Sequence, residues 1–234
     1  MNTDQGLTWP PRTAGLTLGR EVRTLLDVVG PVLHVTAAAI WRPDGLRKRY
    51  LKYLSAMHGV IRASVPLMEL AASRCADAGR KRLREYFDEH IEEEQHHDEW
   101  LREDLRLLGS DLDSAPSPTV ARLVGAQYYW VSHHDPVCLL GYIAVLEGNS
   151  PAPTLAGELA ARTGFSSDAF RTLHHHAVVD TEHSRAVYDL LDELPATAGQ
   201  RQAVRVSALQ TVAGLADLFH EIAREPAAGG KWTR

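Results

Sequence analysis

Cysteine is nearly absent from this chain: Cys75 and Cys138 are its two, far apart along 234 residues. That count excludes a disulfide framework, a thiolate zinc cage and a cysteine-ligated iron–sulfur cluster. Any metal would have to be held by His, Asp and Glu. Also missing are an apolar run of about 18 residues that could span a bilayer and a basic-apolar-small leader. The reading is therefore a cytoplasmic protein with no membrane partner. Charge of one sign is concentrated nowhere, since the net −5 comes from interspersed acids and bases. Such a surface carries no electrostatic footprint for nucleic acid.

What the chain does have is helical periodicity. Hydrophobic residues make up 44% of it, enough for a sizeable core. No stretch alternates as a strand would, and Gly and Pro punctuate apolar stripes that recur every three or four residues. The pattern predicts an all-α domain over 16–225, between flexible ends at 1–15 and 226–234. The expected helices are 18–41, 45–78 with a kink at Pro66, and 80–108. A fourth opens at Ser117-Pro118 and runs to about 133, and a fifth starts at Pro136. A short helix near 152–163, a long one over 167–194 and a last one over 199–224 complete the chain.

Two of these helices carry polar residues where the core should be. The inward stripe of the third reads Leu83, His90, Glu94, His97, Leu101, Leu105 and Leu108. That of the 167–194 helix reads Leu173, His176, Asp180, His183, Val187, Leu190 and Leu194. Both contain His, three residues, a carboxylate, two residues, His. At about 100° per residue this spacing groups the three side chains within roughly 60°. Glu147 falls on the Leu140–Ile143 stripe of the fifth helix. Unpaired carboxylates in an apolar bundle cost several kcal/mol each, and cations would offset that cost. Glu93 is one step round from Glu94 and could substitute for it. His174 and His175 lie off the stripe, and His133 and His134 suit a helix C-terminus. Tyr128, Tyr129 and Trp130 are expected to pack in the core, while Arg62, Tyr142 and Tyr188 are candidates for contact with a polar substrate. Imidazole and carboxylate ligands without thiolate suit iron or manganese, and their number suits two ions.

The segments "HIEEEQHHDEWLREDLRLLG", "LLGYIAVLEG", "HHAVVDTEH" and "MHGVIRASVPLM" resemble the heme-oxygenase-like diiron oxidases and oxygenases, also described as iron-containing redox enzymes. The resemblance covers roughly 45–194. It implies a heme-oxygenase-like bundle of about seven helices that binds two non-heme Fe2+ ions and not heme. Carried over, the ligands are Glu94, His97, Glu147, His176, Asp180 and His183. Family members place the first carboxylate either three or seven residues ahead of its histidine. Here the distant place holds His90, which leaves open whether His90 is a ligand, a group behind the ligands or a substrate contact.

The same resemblance implies O2 as co-substrate, a peroxo-diiron intermediate, an external electron donor and a small-molecule substrate, with a homodimer as the expected assembly. Family reactions divide into N-oxygenation of amines or amino-acid-like metabolites and oxidative C–C cleavage of amino or fatty acids. N-oxygenation is the expectation adopted here. The alternatives are C–C cleavage at the same site, a type II thiaminase-like hydrolase using Cys138, and a non-enzymatic metal- or heme-binding protein using His34 or His58.

Overall fold

A computed structural model describes residues 15–110 and 115–224, with the backbone alone over 179–182. The expected flexible ends, apart from Gly15, lie outside the described residues. Among the described residues there is no strand. The α-helices are α1 (Leu18–Val29), α2 (Pro31–Ile40), α3 (Leu46–Ile61), α4 (Ser64–Asp77), α5 (Lys81–Glu94), α6 (His97–Leu107), α7 (Pro118–Tyr129), α8 (Leu139–Glu147), α9 (Leu155–Thr163), α10 (Arg171–Glu193) and α11 (Ala198–Ala223).

Three helices that periodicity predicts as continuous are each broken in two. The first bends by 47° between α1 and α2, where Pro31 takes the first position of α2 and has no N–H to continue the ladder. The second does not kink at Pro66. It breaks at Arg62–Ala63, and Pro66 sits in the first turn of α4, where its missing N–H is tolerated. The third breaks at Gln95–His96, where His96 adopts φ 70°, the one positive φ outside glycine among the described residues. Apolar periodicity is nearly blind to such breaks, because the stripe resumes on the next helix with little change of phase.

Two apolar clusters form the interior. The larger unites Val22, Leu67, Phe87, Leu140, Leu190 and Leu218 from α1, α4, α5, α8, α10 and α11. The smaller unites Tyr50, Leu54, Leu105, Leu159 and Phe170 from α3, α6, α9 and the short turn ahead of α10. Each fully buried Leu or Phe contributes about 1.5–3 kcal/mol. α11 packs against α1, α2, α3, α7 and α8. Its contact with α8 is close enough that a Cβ at Gly141 would collide with the Val204 carbonyl. This close approach positions α8, which ends at Glu147.

The aromatic run after α7 corrects an expectation. Tyr128 and Tyr129 are exposed rather than in the core, and Trp130 is half-buried and donates its Nε1–H to Gln210 Oε1 at 2.7 Å. They occupy the outward phase of a helix whose inward positions are Val120, Leu123 and Gln127. Among the described residues no single helix is long and apolar enough to cross a membrane, although the bent α1–α2 pair has the length and composition for it.

Candidate metal centre

Five of the six residues expected as ligands, Glu94, His97, Glu147, His176 and His183, lie where α5, α6, α8 and α10 meet. Glu94 is the last residue of α5 and His97 the first of α6, so the two flank the His96 break. Glu147 closes α8, while His176 and His183 project from α10. α10 is held at its start by Asp104 of α6, a buried carboxylate that accepts the Thr172 N–H at 3.1 Å. Burial pushes Asp104 up, which the Thr172 hydrogen bonds partly counter.

Two groups of ligand atoms result, each with all members within 4.8 Å of one another: His90, Glu94, Glu147 and His183 in one, and Glu94, His97 and His176 in the other. Glu94 belongs to both. The structure therefore brings together Glu94, His97, Glu147, His176 and His183, and it adds His90. Asp180 lies on α10 between His176 and His183, but its side chain is outside the described residues. Glu93 stands beside the first group, half-exposed, with Oε2 3.2 Å from His90 Nδ1 and 3.3 Å from His183 Nε2.

The other edges of those two rings face inward. His90 Nε2 lies 3.5 Å from Glu147 Oε1 and His183 Nδ1 lies 3.6 Å from Glu147 Oε2. His97 Nδ1 donates to Glu94 Oε2 at 3.0 Å. Among the described residues, the buried Glu94 Oε1 and His183 Nδ1 have no hydrogen-bond partner. Buried groups left so are uncommon and call for an explanation, an ion being one. Two acceptor-rich groups joined by one carboxylate fit a pair of cations, and imidazole with carboxylate fits iron or manganese.

Electrostatics tell the same story from the proton's side. The adjacent Glu147 carboxylate lifts His183 to about 9, against the opposing effect of burial. Burial would raise Glu147, yet His183 and His90 outweigh it and hold Glu147 well below the ordinary carboxylate range. For His90, burial is likewise the largest influence, and its carboxylate neighbours, Glu147 first, overcome it and raise the group. Burial opposes ionisation of Glu94 too, but His97 keeps it low. The carboxylates thus favour positive charge on His183 and His90, as they would favour a cation between them.

A family profile described as iron-containing redox enzyme matches residues 51–215. The chain belongs to that family. No curated protein matches it in sequence. Solved structures share its fold, including a domain of unknown function with a heme oxygenase-like fold from Shewanella denitrificans OS217. That domain has a TM-score of 0.68 at 18% identity, covering 88% of this chain and 90% of the other. A TenA homologue from Pyrococcus furiosus superposes with a TM-score of 0.68 at 13% identity over 88% and 100% of the two chains. A CADD-like protein of unknown function from Nostoc punctiforme PCC 73102 gives 0.66 at 16% over 88% and 95%. This iron-containing redox enzyme family member is therefore a heme-oxygenase-like all-α fold, as its helical stripes and motifs implied.

Other candidate residues lie apart from the centre. Cys138 is buried and absent from the lining of the cavity beside the cluster, and burial pushes its thiol up to about 12. A nucleophilic cysteine needs the opposite shift. His34 is exposed and His58 is buried on α3 away from the cavity lining. Arg62 is exposed and Tyr188 lies beneath Arg23, whereas Tyr142 lines the cavity. Periodicity missed Tyr86, whose ring stacks on His90 at 5.6 Å. The signal was there, since Tyr86 precedes His90 by one helical turn. It also missed the contact of Trp100 with His97 at 4.4 Å, although the two stand three residues apart on one helix.

Proposed function

We propose that this protein is a non-heme diiron oxidase or oxygenase that uses O2 to oxidise a small amine by N-oxygenation. The observation that carries the reading is the membership of Glu94 in both ligand groups. One iron would be held by His90, Glu94, Glu147 and His183, the other by Glu94, His97 and His176, with Asp180 contributing from its place on α10. Glu94, with one oxygen turned to His97 and the other without a hydrogen-bond partner, is suited to span the pair.

Held by these residues, two ferrous ions would supply the electrons that reduce O2, and an external donor would restore them. The protein's own residues hold and orient. His90 and His183 present one ring nitrogen each to the Glu147 side while Glu93 occupies the other edge. The wall of Leu54, Leu101 and Ile143 sets hydrocarbon against one side of the cluster, which strengthens charge interactions there. Tyr142 presents a hydroxyl from the same wall.

Anaerobic Fe(II) titration of metal-free protein, followed by rapid mixing with O2 under visible-absorbance detection, tests the reading. Near two irons per chain and a transient band, both lost in Asp180→Ala and Glu94→Ala, are expected. One iron or none, with no response to O2, overturns it.

A further inference from the structure

A cavity of about 120 Å³ opens directly onto the cluster, with His90, Glu94, Glu147 and His176 at one end. By the measure on which one water needs about 10–15 Å³, it has room for on the order of ten water-sized groups. It runs between the two apolar clusters. Its walls come from Met57 of α3, Leu67 of α4, Ile143 of α8 and Leu215 and Phe219 of α11. Among the described residues, every charged or titratable lining side chain except the tyrosines belongs to the cluster itself.

That lining discriminates between substrates by charge. An amino acid carries a carboxylate and an ammonium group at once. The cluster's cations could take the carboxylate, and the ammonium would then find no carboxylate outside the cluster, only the neutral polar groups of Ser64, Asn149, Ser150, Thr172 and the tyrosines among the described lining residues. Burying a charge without a partner costs several kcal/mol. A molecule with a single polar head faces no such conflict, because its head goes to the cluster and its body fills the apolar length.

One group in the wall is placed to meet that head. Tyr142 stands on the cavity-lining face of α8, five residues ahead of Glu147. Its hydroxyl is buried without a hydrogen-bond partner among the described residues. Bound as the neutral amine, its ammonium proton left to solvent, the head can donate an N–H to the phenol oxygen and keep the nitrogen lone pair directed toward the cluster.

Building on the proposed amine chemistry, we infer that the substrate is a lipophilic amine with one polar head, an alkyl or aralkyl amine and not an amino acid. Its hydrocarbon body lies along the α3–α8–α11 cavity and its nitrogen lies at Tyr142 beside Glu94 and Glu147.

Calorimetry on the anaerobic, iron-loaded protein tests this without turnover, using octylamine, octanoate and 2-aminooctanoate as probes. Octylamine is expected to bind at least about tenfold more tightly than 2-aminooctanoate. Leu215→Trp and, from a different wall, Met57→Trp fill the cavity and should abolish octylamine binding while iron stoichiometry is kept. Tyr142→Phe should weaken it several-fold. Equal affinity for octylamine and 2-aminooctanoate, or octylamine binding undiminished in both cavity-filling variants, overturns the inference. Octanoate bound in place of octylamine overturns the amine while the single-headed apolar site stands. Octylamine bound by a protein that takes up no iron overturns the diiron reading and leaves the lipophilic amine site standing.

Discussion

Glu93 Oε2 lies 3.3 Å from His183 Nε2, on the edge of the ring opposite the nitrogen that faces Glu147. The same oxygen lies 3.2 Å from His90 Nδ1. A carboxylate only accepts, so His90 Nδ1 carries its proton toward Glu93 and leaves Nε2 free to bind a cation, while His183 Nε2 faces the same oxygen as an ion pair. One half-exposed carboxylate therefore sets the tautomer of His90 and lies against the outer edge of the His183 ring as well. Removing such a partner behind a metal-bound histidine lowers metal affinity by about 10–100-fold. Glu93→Ala is expected to show that loss in an Fe(II) or Co(II) competition against a chelator, with two ions still bound at saturation. Glu93→Gln should recover part of it, since its amide oxygen still accepts. Unchanged affinity in Glu93→Ala would refute the orienting role, and loss of one whole ion would make Glu93 a ligand.

The proton balance of the cluster predicts opposite pH profiles for the metal-free and loaded protein. His183 is raised from 6.5 to about 9 by Glu147, so its contribution to folding is complete below pH 6.5 and is lost as pH climbs through about 9. Glu147 is lowered from 4.5, so its contribution is present above pH 4.5 and is lost as the pH falls below that. The metal-free protein should thus melt highest between about pH 4.5 and 6.5 and lose stability toward pH 9. A bound cation replaces the histidine protons, so iron uptake should release protons near pH 7 and tighten as pH rises. Melts of chelator-treated protein and calorimetry in buffers of different ionisation enthalpy check both halves. A flat melting profile with no proton release would sink the argument.

His96 is the position where geometry departs furthest from what periodicity alone implies. An unbroken third helix predicts His90, Glu94 and His97 on one stripe, and the three do converge, but across a break. The break costs something: a non-glycine residue in the left-handed region is disfavoured by roughly 1–2 kcal/mol. Replacing it with glycine, which enters that region without a steric penalty, should raise the stability of the metal-free protein by up to about 1 kcal/mol in urea unfolding and leave iron stoichiometry unchanged. A β-branched residue such as valine should destabilise it by at least as much. A His96→Gly variant less stable than the parent would show that the exposed imidazole, 3.4 Å from Glu99, contributes more than the strain removes.

The inward polar residues were legible because an apolar stripe interrupted by His and Glu stands out against leucine on both sides, as at Leu83 and Leu101 around His90, Glu94 and His97. What decided the rest is long-range. Nothing local to Glu147 says that α8 is brought to its place by the close approach of Gly141 to the Val204 carbonyl. His90 was ambiguous by motif, since only one of the two patterns in the family it resembles has a carboxylate there, and the 3.5 Å approach of its Nε2 to Glu147 places it in the cluster. Tyr128 and Tyr129 misled because aromatic character suggests burial, while their helical phase sends them outward.

α10 should be the element most dependent on metal. Its inward face carries His176 and His183, with Asp180 between them in sequence, where an ordinary core helix would carry leucine. Its first turn is fixed independently of any ion, through the 3.1 Å bond from the Thr172 N–H to the buried Asp104, and its last turns are fixed by Val187, Leu190 and Leu191 in the core. Ordering the middle requires the polar face to be satisfied, and segments short of apolar contacts open most readily. Hydrogen exchange should therefore show iron raising protection over the central turns around His176 and His183, with little change near Leu190. Asp104→Ala, by removing a buried acceptor, should cost about 1–3 kcal/mol and extend the unprotected region back to Arg171. Equal protection of the central turns with and without iron would mean that packing alone holds α10 and that the cluster takes no part in folding it.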